Sequence, residues 1–487
     1  IFLAALSLRL YGLNWDDGGD LHPDELFVAK IVLIDRIHLD WPPDVNQLLD
    51  PARSGLNPRS ADPVTGQYRE FAYGALPLWV TDFAAWILSR VTGTNWNAAE
   101  RVYLFGRVLS AILSSVTALV TAAIGCRLGG RPLGLLAALF AAFAPMSIQL
   151  AHFFTTDSWL TCFVALCLLA CCRAAERGTI AAFALAGCTY GLAMATKGSV
   201  VALVAPIVAA WLIRVLERPE HHRPSRIRAL LPQAAVAAIT SLVAFFAFEP
   251  YALLRPLVYV QSLRTQADIV SGAFDVPFTR VFSGTTPDLY QVEQLVRWGL
   301  GPVAGLLALG GLVWLGHEVW QRQPVAVILA SWLVAYSAVL ATAEVKFLRY
   351  LEPLTPVFAI CAAGALLWLL TRLQLRCSPR WGTALLAATL GLSFLWTASF
   401  TSIYARENPR IAATKWIYAE IPPGSSLTAE YWDDALPRSL TYALNPAAYG
   451  LGTINFDLYR DLPPAEATNA IADVQNLLIA TNSGQQI

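Results

Sequence analysis

The sequence predicts an all-α polytopic membrane bundle of about eleven transmembrane helices, with a small α/β extracytoplasmic domain at the C-terminal end. Three observations carry this reading. Of 487 residues, 56% are hydrophobic and 14% charged, against roughly 25% charged in a soluble globular protein, and the mean hydropathy is +0.51. Apolar runs approaching the roughly 20 residues that a spanning helix needs recur along the chain. Short Arg-rich loops alternate with loops that lack that bias. The formal net charge is +0, which argues for no nucleic-acid partner.

The runs, in order, are Ile1–Leu13, Val102–Cys126, Leu133–Leu150, Ser158–Cys172, Ile180–Ala195 and Val200–Val215. Ala229–Phe248, Val296–Leu315, Val325–Thr342, Leu354–Leu370 and Ala384–Ile403 follow. The chain begins inside an apolar run with no charged start, so no cleavable signal is read and the first helix is expected to lack its cytoplasmic beginning. Arg127 and Arg131, Arg173 and Arg177, Arg214 through Arg228, Arg322, and Arg372, Arg376 and Arg380 fall on alternate turns, all on one side. Basic residues mark the cytoplasmic side. The other side then carries the loop 14–101, the loop 249–293 and the tail from Tyr404. This divides the chain into a membrane domain, 1–403, and an extracytoplasmic domain, 404–487, expected to be incomplete at Ile487.

Within the first outer loop, Phe71 to Trp79 opens an apolar stretch that reaches Val91, interrupted by Asp82. Its aromatic content suits the membrane interface, so a helix lying along the bilayer surface is expected. In the tail, Pro422-Pro423-Gly424-Ser425-Ser426 is a turn cluster, and short β-branched segments such as Leu477–Thr481 follow. Cys162, Cys167, Cys171, Cys172, Cys188 and Cys361 lie in or beside apolar runs, and Cys126 and Cys377 flank Arg-rich turns. None lies in a long polar loop, so they read as small hydrophobes rather than a disulfide or zinc framework. No His spacing marks a metal, and no cofactor is expected.

The charges converge on one face. Asp24 and Glu25, in Asp20-Leu21-His22-Pro23-Asp24-Glu25, follow the first run. His152 and Asp157 share the outer turn before the fourth. Lys197 lies in Thr196-Lys197-Gly198-Ser199, Glu249 ends the seventh run, and Lys346, Arg349 and Tyr350 precede the tenth. Ionisable groups at a membrane face are costly and call for partners and a function. Lys197, Lys346 and Arg349 suit a phosphate, Arg through its planar fork and Lys as a compact charge. A carboxylate nearby can take a proton from an attacking hydroxyl or amine. A lipid phosphate arriving sideways from the bilayer would suit such a site, which points to glycosyl transfer from a polyprenyl-phosphate sugar. Plainer roles exist for each. Asp157 can cap the helix beginning at Ser158, the basic residues can snorkel, Glu249 can end its helix before Pro250, and His22 with the two acids is a weak metal pattern.

Four segments resemble a known family. His22-Pro23-Asp24-Glu25 is similar to the acidic pair in the first outer loop of the C-type integral membrane glycosyltransferases of the protein O-mannosyltransferase and aminoarabinose-transferase kind. Tyr73-Gly74-Ala75-Leu76-Pro77-Leu78 resembles the start of their juxtamembrane helix, Ala195-Thr196-Lys197-Gly198 their lysine turn, and Phe347-Leu348-Arg349-Tyr350-Leu351-Glu352-Pro353 their Arg-Tyr-x-x-Pro element. The likeness covers roughly 1–403. It implies the C-type glycosyltransferase fold, Asp24 as general base, Glu25 assisting or positioning the acceptor, and Asp157 orienting the acceptor or a basic side chain. It implies that Lys197 and Arg349 with Tyr350 hold the donor phosphate, with no catalytic metal. Arg410 to Ile417 and on to Gly424 resembles the outer domains of bacterial relatives. The trefoil domain of eukaryotic protein mannosyltransferases is not evident, a departure that bears on the acceptor.

The expected function is therefore inverting sugar transfer from a polyprenyl-phosphate donor to a glycan, lipid or protein acceptor, at the outer face of a bacterial inner membrane and among membrane lipids. A transporter or lipid flippase is the alternative. It favours broken helices and internal repeats near the midplane, and no repeat is visible.

Overall fold

The computed structural model describes residues 1–37, 44–217, 223–286, 289–376, 379–430, 435–439 and 450–454. The chain forms two units, Ile1–Leu13 with Asp24–Ile403, and Asn14–Pro23 with Tyr404–Ile487. The described residues are mostly helical. Among them seven helical stretches are long and apolar enough to cross a membrane, and Ile180–Met194 and Pro324–Leu340 are shorter apolar helices. The chain is a multi-pass membrane protein.

In the first unit, helix α1 (Phe2–Leu10) is followed by a short turn of helix Pro23–Glu25, which runs into a widened helical segment Leu26–Ile34. Helix α2 (Leu76–Thr92) follows a long loop, and α3 (Ala99–Ala142) enters the bundle. Then come α4 (Pro145–Ala151), α5 (Thr156–Arg177), α6 (Ile180–Met194), α7 (Val204–Leu216) and α8 (Arg223–Phe248). After the short helices Pro250–Leu254 and Pro256–Val270, α9 (Pro302–Trp320), α10 (Pro324–Leu340), α11 (Thr355–Arg376) and α12 (Pro379–Thr401) complete the unit.

Length and apolarity alone therefore single out fewer spans than the eleven runs. Helix α1 covers nine residues, and α6 and α10 fall short of a full span in length. The second and third runs share α3, which breaks at Gly129 (φ −143°, ψ 26°) and Gly130 (φ 75°, ψ −175°). Only glycine enters the second of these conformations without strain. The legs on either side fold against each other, with Gly134 against the Cys126 sulfur and no room for a Cβ between them. The third run, expected to continue to Leu150, instead stops at Ala142. Pro145 forces Ala144 into extended backbone (φ −68°, ψ 114°) and a new helix begins. The eighth run breaks ahead of Pro302, after the widened turn Leu295–Gly299. The tenth starts early, as a tight turn Leu348–Leu354. Leu477–Thr481 and Cys377 lie outside the described residues.

Helix α5 is the hub. Of its apolar window 83% is buried, against 11% for Ile227–Phe248 on α8, whose Ile239, Leu242 and Val243 are exposed. A helix that exposes Leu, Ile and Val over its length is covered by hydrocarbon rather than water. Small residues bring the helices together: Gly187 and Gly191 of α6 lie against the backbone of Ala237 and Ser241 of α8. The fully buried Arg9 ties α1 to both legs of α3, donating from Nη1 to the Ala142 carbonyl (3.1 Å) and from Nη2 to the Ala141 carbonyl (3.3 Å) on the second, and from Nε to Ser114 Oγ (2.8 Å) on the first. A guanidinium there satisfies carbonyls that the end of a helix leaves open.

The second unit holds α13 (Pro409–Glu420), capped by the Asn408 side chain, which accepts from the Arg410 N–H at 2.9 Å. Two strands, β1 (Ser426–Glu430) and β2 (Gly450–Ile454), pair in parallel from Ser426 opposite Gly450. Arg438 donates to the carbonyls of Gly19 (3.0 Å) and Asp20 (3.1 Å), and Ile411 packs with Leu21 and Trp15.

Candidate functional site

Adjacent residues on a helix point about 100° apart, and this splits the acidic pair. Glu25 turns into the bundle. Its Oε1 accepts from Arg107 Nε (2.8 Å) and from the Phe154 N–H (2.7 Å), and its Oε2 accepts from Arg107 Nη2 (2.6 Å). Arg107 also donates to the Leu13 carbonyl (2.8 Å) and lies over the Tyr103 ring. Two parallel N–H···O bonds make this pairing strong and geometrically fixed. Glu25 thus joins the turn Pro23–Glu25 to α3 and to the turn before α5, and its oxygens are committed to the fold.

Asp24 points the other way and pairs with Arg349 Nη1; the two side chains are 27% and 23% exposed. Arg349 lies in the tight turn Leu348–Leu354, braced by Tyr336, whose hydroxyl donates to the Tyr350 carbonyl (3.1 Å), and by Trp332, whose Nε1 donates to the Pro353 carbonyl (3.1 Å). The Arg349 guanidinium lies over the rings of Phe347 (4.9 Å) and Tyr350 (5.9 Å), and its buried Nε has no hydrogen-bond partner among the described residues. A buried unsatisfied donor is what an anion would complete.

The Tyr350 ring links this pair to a second. Lys197 Nζ lies 5.7 Å from the Tyr350 ring centre, 5.5 Å from that of Tyr73 and 3.0 Å from Asp157 Oδ1. Asp157 sits in the first turn of α5, one residue past Thr156 and behind the cap residue Thr155. Burial alone would lower the Lys197 pKa; Asp157, Tyr73 and Tyr350 outweigh it, and the pKa stands above the usual lysine value. Burial pushes the Tyr73 phenol up to about 12, against the pull of Lys197. The ammonium therefore persists at neutral pH. Asp24, Arg349, Tyr350, Tyr73, Lys197 and Asp157 form one mixed-charge cluster: two cations able to grip phosphate oxygens and a partly open carboxylate able to take a proton.

The stretch opening at Phe71 is helical only from Leu76. Residues ahead of it are extended and bridge the lysine turn, Tyr73 opposite Lys197, with the Gly74 N–H donating to the Thr196 carbonyl (2.9 Å). Glu249 ends α8 fully buried and pairs with Arg59 at 3.1 Å. Burial raises its pKa, while Arg59 and the Ala75 N–H pull the other way.

Two other candidate residues are engaged elsewhere. Lys346 was expected on the donor phosphate beside Lys197. It is buried, and its ammonium instead donates to the Glu344 carbonyl (2.8 Å), because it lies ahead of the tight turn that carries Arg349. His152, next to the acidic cluster in sequence, faces backbone: Nδ1 meets the Ile148 carbonyl at 2.8 Å and Nε2 the Tyr11 carbonyl at 2.9 Å. His22 falls in the second unit. Among the described residues, no three His, Cys, Asp or Glu side chains gather as a metal site would require. Arg107, Arg59 and Tyr336 are not singled out from the sequence, and Tyr73 is read there only as part of the juxtamembrane segment. Arg107 carried a usable signal, a charge in the middle of an apolar run; Arg59, in a polar loop, carried none.

Residues 80–248 match the sequence profile of the family described as dolichyl-phosphate-mannose-protein mannosyltransferase. Comparison with curated protein sequences gives no match. Among solved structures, ArnT from Cupriavidus metallidurans bound to undecaprenyl phosphate is similar in fold, with a TM-score of 0.52, 16% identity, and 89% of this chain and 82% of that one covered. The Archaeoglobus fulgidus oligosaccharyltransferase is similar in its apo form, with a TM-score of 0.51, 15% identity, and 86% and 57% covered. So is that organism's AglB in complex with an inhibitory peptide and a dolichol-phosphate, with a TM-score of 0.51, 14% identity, and 86% and 58% covered. The chain thus spans less than three fifths of the archaeal chains. The chain has the fold of these membrane glycosyltransferases and, over 80–248, the sequence pattern of a mannosyltransferase family; of the four segments singled out in the sequence, Ala195–Gly198 lies within that match.

Proposed function

We propose that this chain is a C-type glycosyltransferase that moves one sugar from a polyprenyl-phosphate-linked donor to an acceptor hydroxyl or amine, with inversion, at the extracytoplasmic face of a bacterial inner membrane. The observation that carries the reading is the cluster itself: Asp24–Arg349 and Lys197–Asp157, bridged by the Tyr350 ring. The sided distribution of Arg residues supports eleven spans with this cluster, the loops 14–101 and 249–293, and the segment 404–487 on the outer side.

In this reading the donor phosphate enters between Lys197 and Arg349. Phosphate oxygens take Arg349 as a partner and release Asp24. The Asp24 carboxylate accepts the acceptor's proton while the acceptor's oxygen or nitrogen bonds to the anomeric carbon. The bond from that carbon to the phosphate oxygen breaks, and its electron pair leaves with the lipid phosphate. One in-line displacement inverts the anomeric centre. The charge that grows on the leaving phosphate meets two cations already in place, which stabilises the transition state more than the ground state. Asp157 holds the Lys197 ammonium, and Glu25 holds the turn that presents Asp24.

The test is transfer from a radiolabelled polyprenyl-phosphate sugar in membranes carrying the full chain. At normal expression Asp24→Asn should lower labelled product at least about a hundredfold, and Lys197→Ala about tenfold or more at limiting donor. Transfer at an unchanged rate by either variant removes the role given to that residue. Label that enters sealed vesicles without forming any covalent product would replace the enzyme reading with a transporter.

A further inference from the structure

A buried ion pair away from the reacting groups grips the segment that lies beside Lys197. Arg59 and Glu249 are 190 residues apart in sequence, and their side chains are 2% and 0% exposed. Arg59 Nε donates to the Phe71 carbonyl (2.8 Å), Nη2 to the Tyr73 carbonyl (2.7 Å) and Nη1 to Glu249 Oε2 (3.1 Å). Glu249 Oε1 accepts from the Ala75 N–H (2.5 Å). Apart from the bond within the pair, these side-chain hydrogen bonds all end on the backbone of 71–75.

The bonds fall on alternate residues. Phe71, Tyr73 and Ala75 present backbone groups to the pair, while the N–H groups of Gly74 and Leu76 donate the other way, to the carbonyls of Thr196 (2.9 Å) and Ala195 (3.3 Å). The segment is therefore held along both edges, as a central strand is. On one edge is the Arg59–Glu249 pair; on the other is the turn that carries Lys197. A slip by one residue would swap those edges and turn the Tyr73 side chain away. Gly74 makes the approach possible, since a Cβ there would collide with the Ala195 carbonyl. The Arg59 guanidinium is fixed further by the rings of Phe71 (5.6 Å) and Tyr259 (4.8 Å).

Burying two charges costs desolvation that only close geometry repays, so such a pair is weak evidence for stability and better evidence for specified geometry. We infer that Arg59 and Glu249 are positioning residues for donor binding: they fix the register of 71–76 against 195–197, and so set where Lys197 and Tyr73 stand in the phosphate site. The inference rests on the reading of Lys197 as a ligand of the lipid phosphate.

Binding of radiolabelled polyprenyl phosphate to the full chain in lipid nanodiscs tests both and separates them. Glu249→Gln keeps an acceptor for the Ala75 N–H and removes the charge facing Arg59; it should weaken binding about tenfold. In a Lys197→Ala background the same change should alter binding less than about twofold, because two residues acting through one contact are not additive. Gly74→Ala leaves the pair intact and pushes the two segments apart; it should weaken binding in the same way, and it serves if Glu249→Gln does not fold. Wild-type affinity in both Glu249→Gln and Gly74→Ala overturns the inference. So does a tenfold loss that persists without Lys197, which a merely structural role would produce. Equal binding by the wild type and Lys197→Ala overturns the reading of Lys197 itself, and the inference with it.

Discussion

Replacing each of the two adjacent carboxylates by its amide should separate structure from chemistry. Glu25→Gln keeps the shape of the side chain and removes the charge facing Arg107, whose side chain is 0% exposed. The amide also offers one acceptor oxygen where the carboxylate offered two to Arg107 and the Phe154 N–H. Breaking one side of a buried pair costs about 3–5 kcal/mol, because the remaining charge stays out of water without compensation. Asp24→Asn acts on a pair that is about a quarter exposed and so partly screened by water, and its loss should cost less, about 1 kcal/mol. The assay is the midpoint of heat-induced loss of monodisperse protein in detergent, read beside sugar transfer per folded molecule. Glu25→Gln should lower the midpoint by several degrees, with the surviving folded protein still able to transfer. Asp24→Asn should leave the midpoint within about 2 °C and lower transfer at least about a hundredfold, the usual contribution of a general base. Equal thermal losses for the two variants, or a folded Glu25→Gln as inactive as Asp24→Asn, would refute the division of roles.

Other outcomes follow from the same geometry. Lys197→Ala removes one charge-assisted contact to the donor phosphate and should raise the donor KM about tenfold or more, measured at saturating acceptor; an unchanged KM contradicts it. The raised pKa of Lys197 means that its ion pair with Asp157 contributes stability fully below the ordinary lysine value of 10.5 and loses it only as pH rises through the higher folded value. The difference in thermal midpoint between the wild type and Lys197→Met should therefore stay constant between about pH 6 and about pH 9; a difference that shrinks inside that window contradicts the assignment. Gly187→Leu forces a side chain into the Ala237 carbonyl of α8. It should destabilise the bundle by about 1–3 kcal/mol and leave the donor KM of the folded fraction unaltered, as judged by the same two assays.

Much of the bundle was legible because hydrocarbon demands long apolar helices, and their residues lie together in the chain. The Arg-rich turns fell where helices end, including the reversal at Gly129–Gly130 between Arg127 and Arg131. The breaks ahead of Pro145 and Pro302 were legible too, but apolar continuity outweighed the proline signal in reading those runs. Within the site, the nearness of Asp157 to Lys197 was legible because both fall in turns that the alternation of Arg-rich loops assigns to one face. The opposite fates of Asp24 and Glu25 did not, since alternation along one helical turn gives no sign of which side holds Arg107. Lys346 and Arg349 are three residues apart and share a sign, and only the tight turn beginning at Leu348 separates them. Arg59 was out of reach, because its partner Glu249 is set by the path of a polar loop rather than by any local pattern.

An experimental map of the full chain with polyprenyl phosphate bound addresses the central claim most directly. The account predicts the phosphate within about 4 Å of both the Lys197 ammonium and the Arg349 guanidinium, with Asp24 released from Arg349 and facing open space beside it. A phosphate held elsewhere, on Lys346 for instance, with Asp24 and Arg349 still paired, would contradict it.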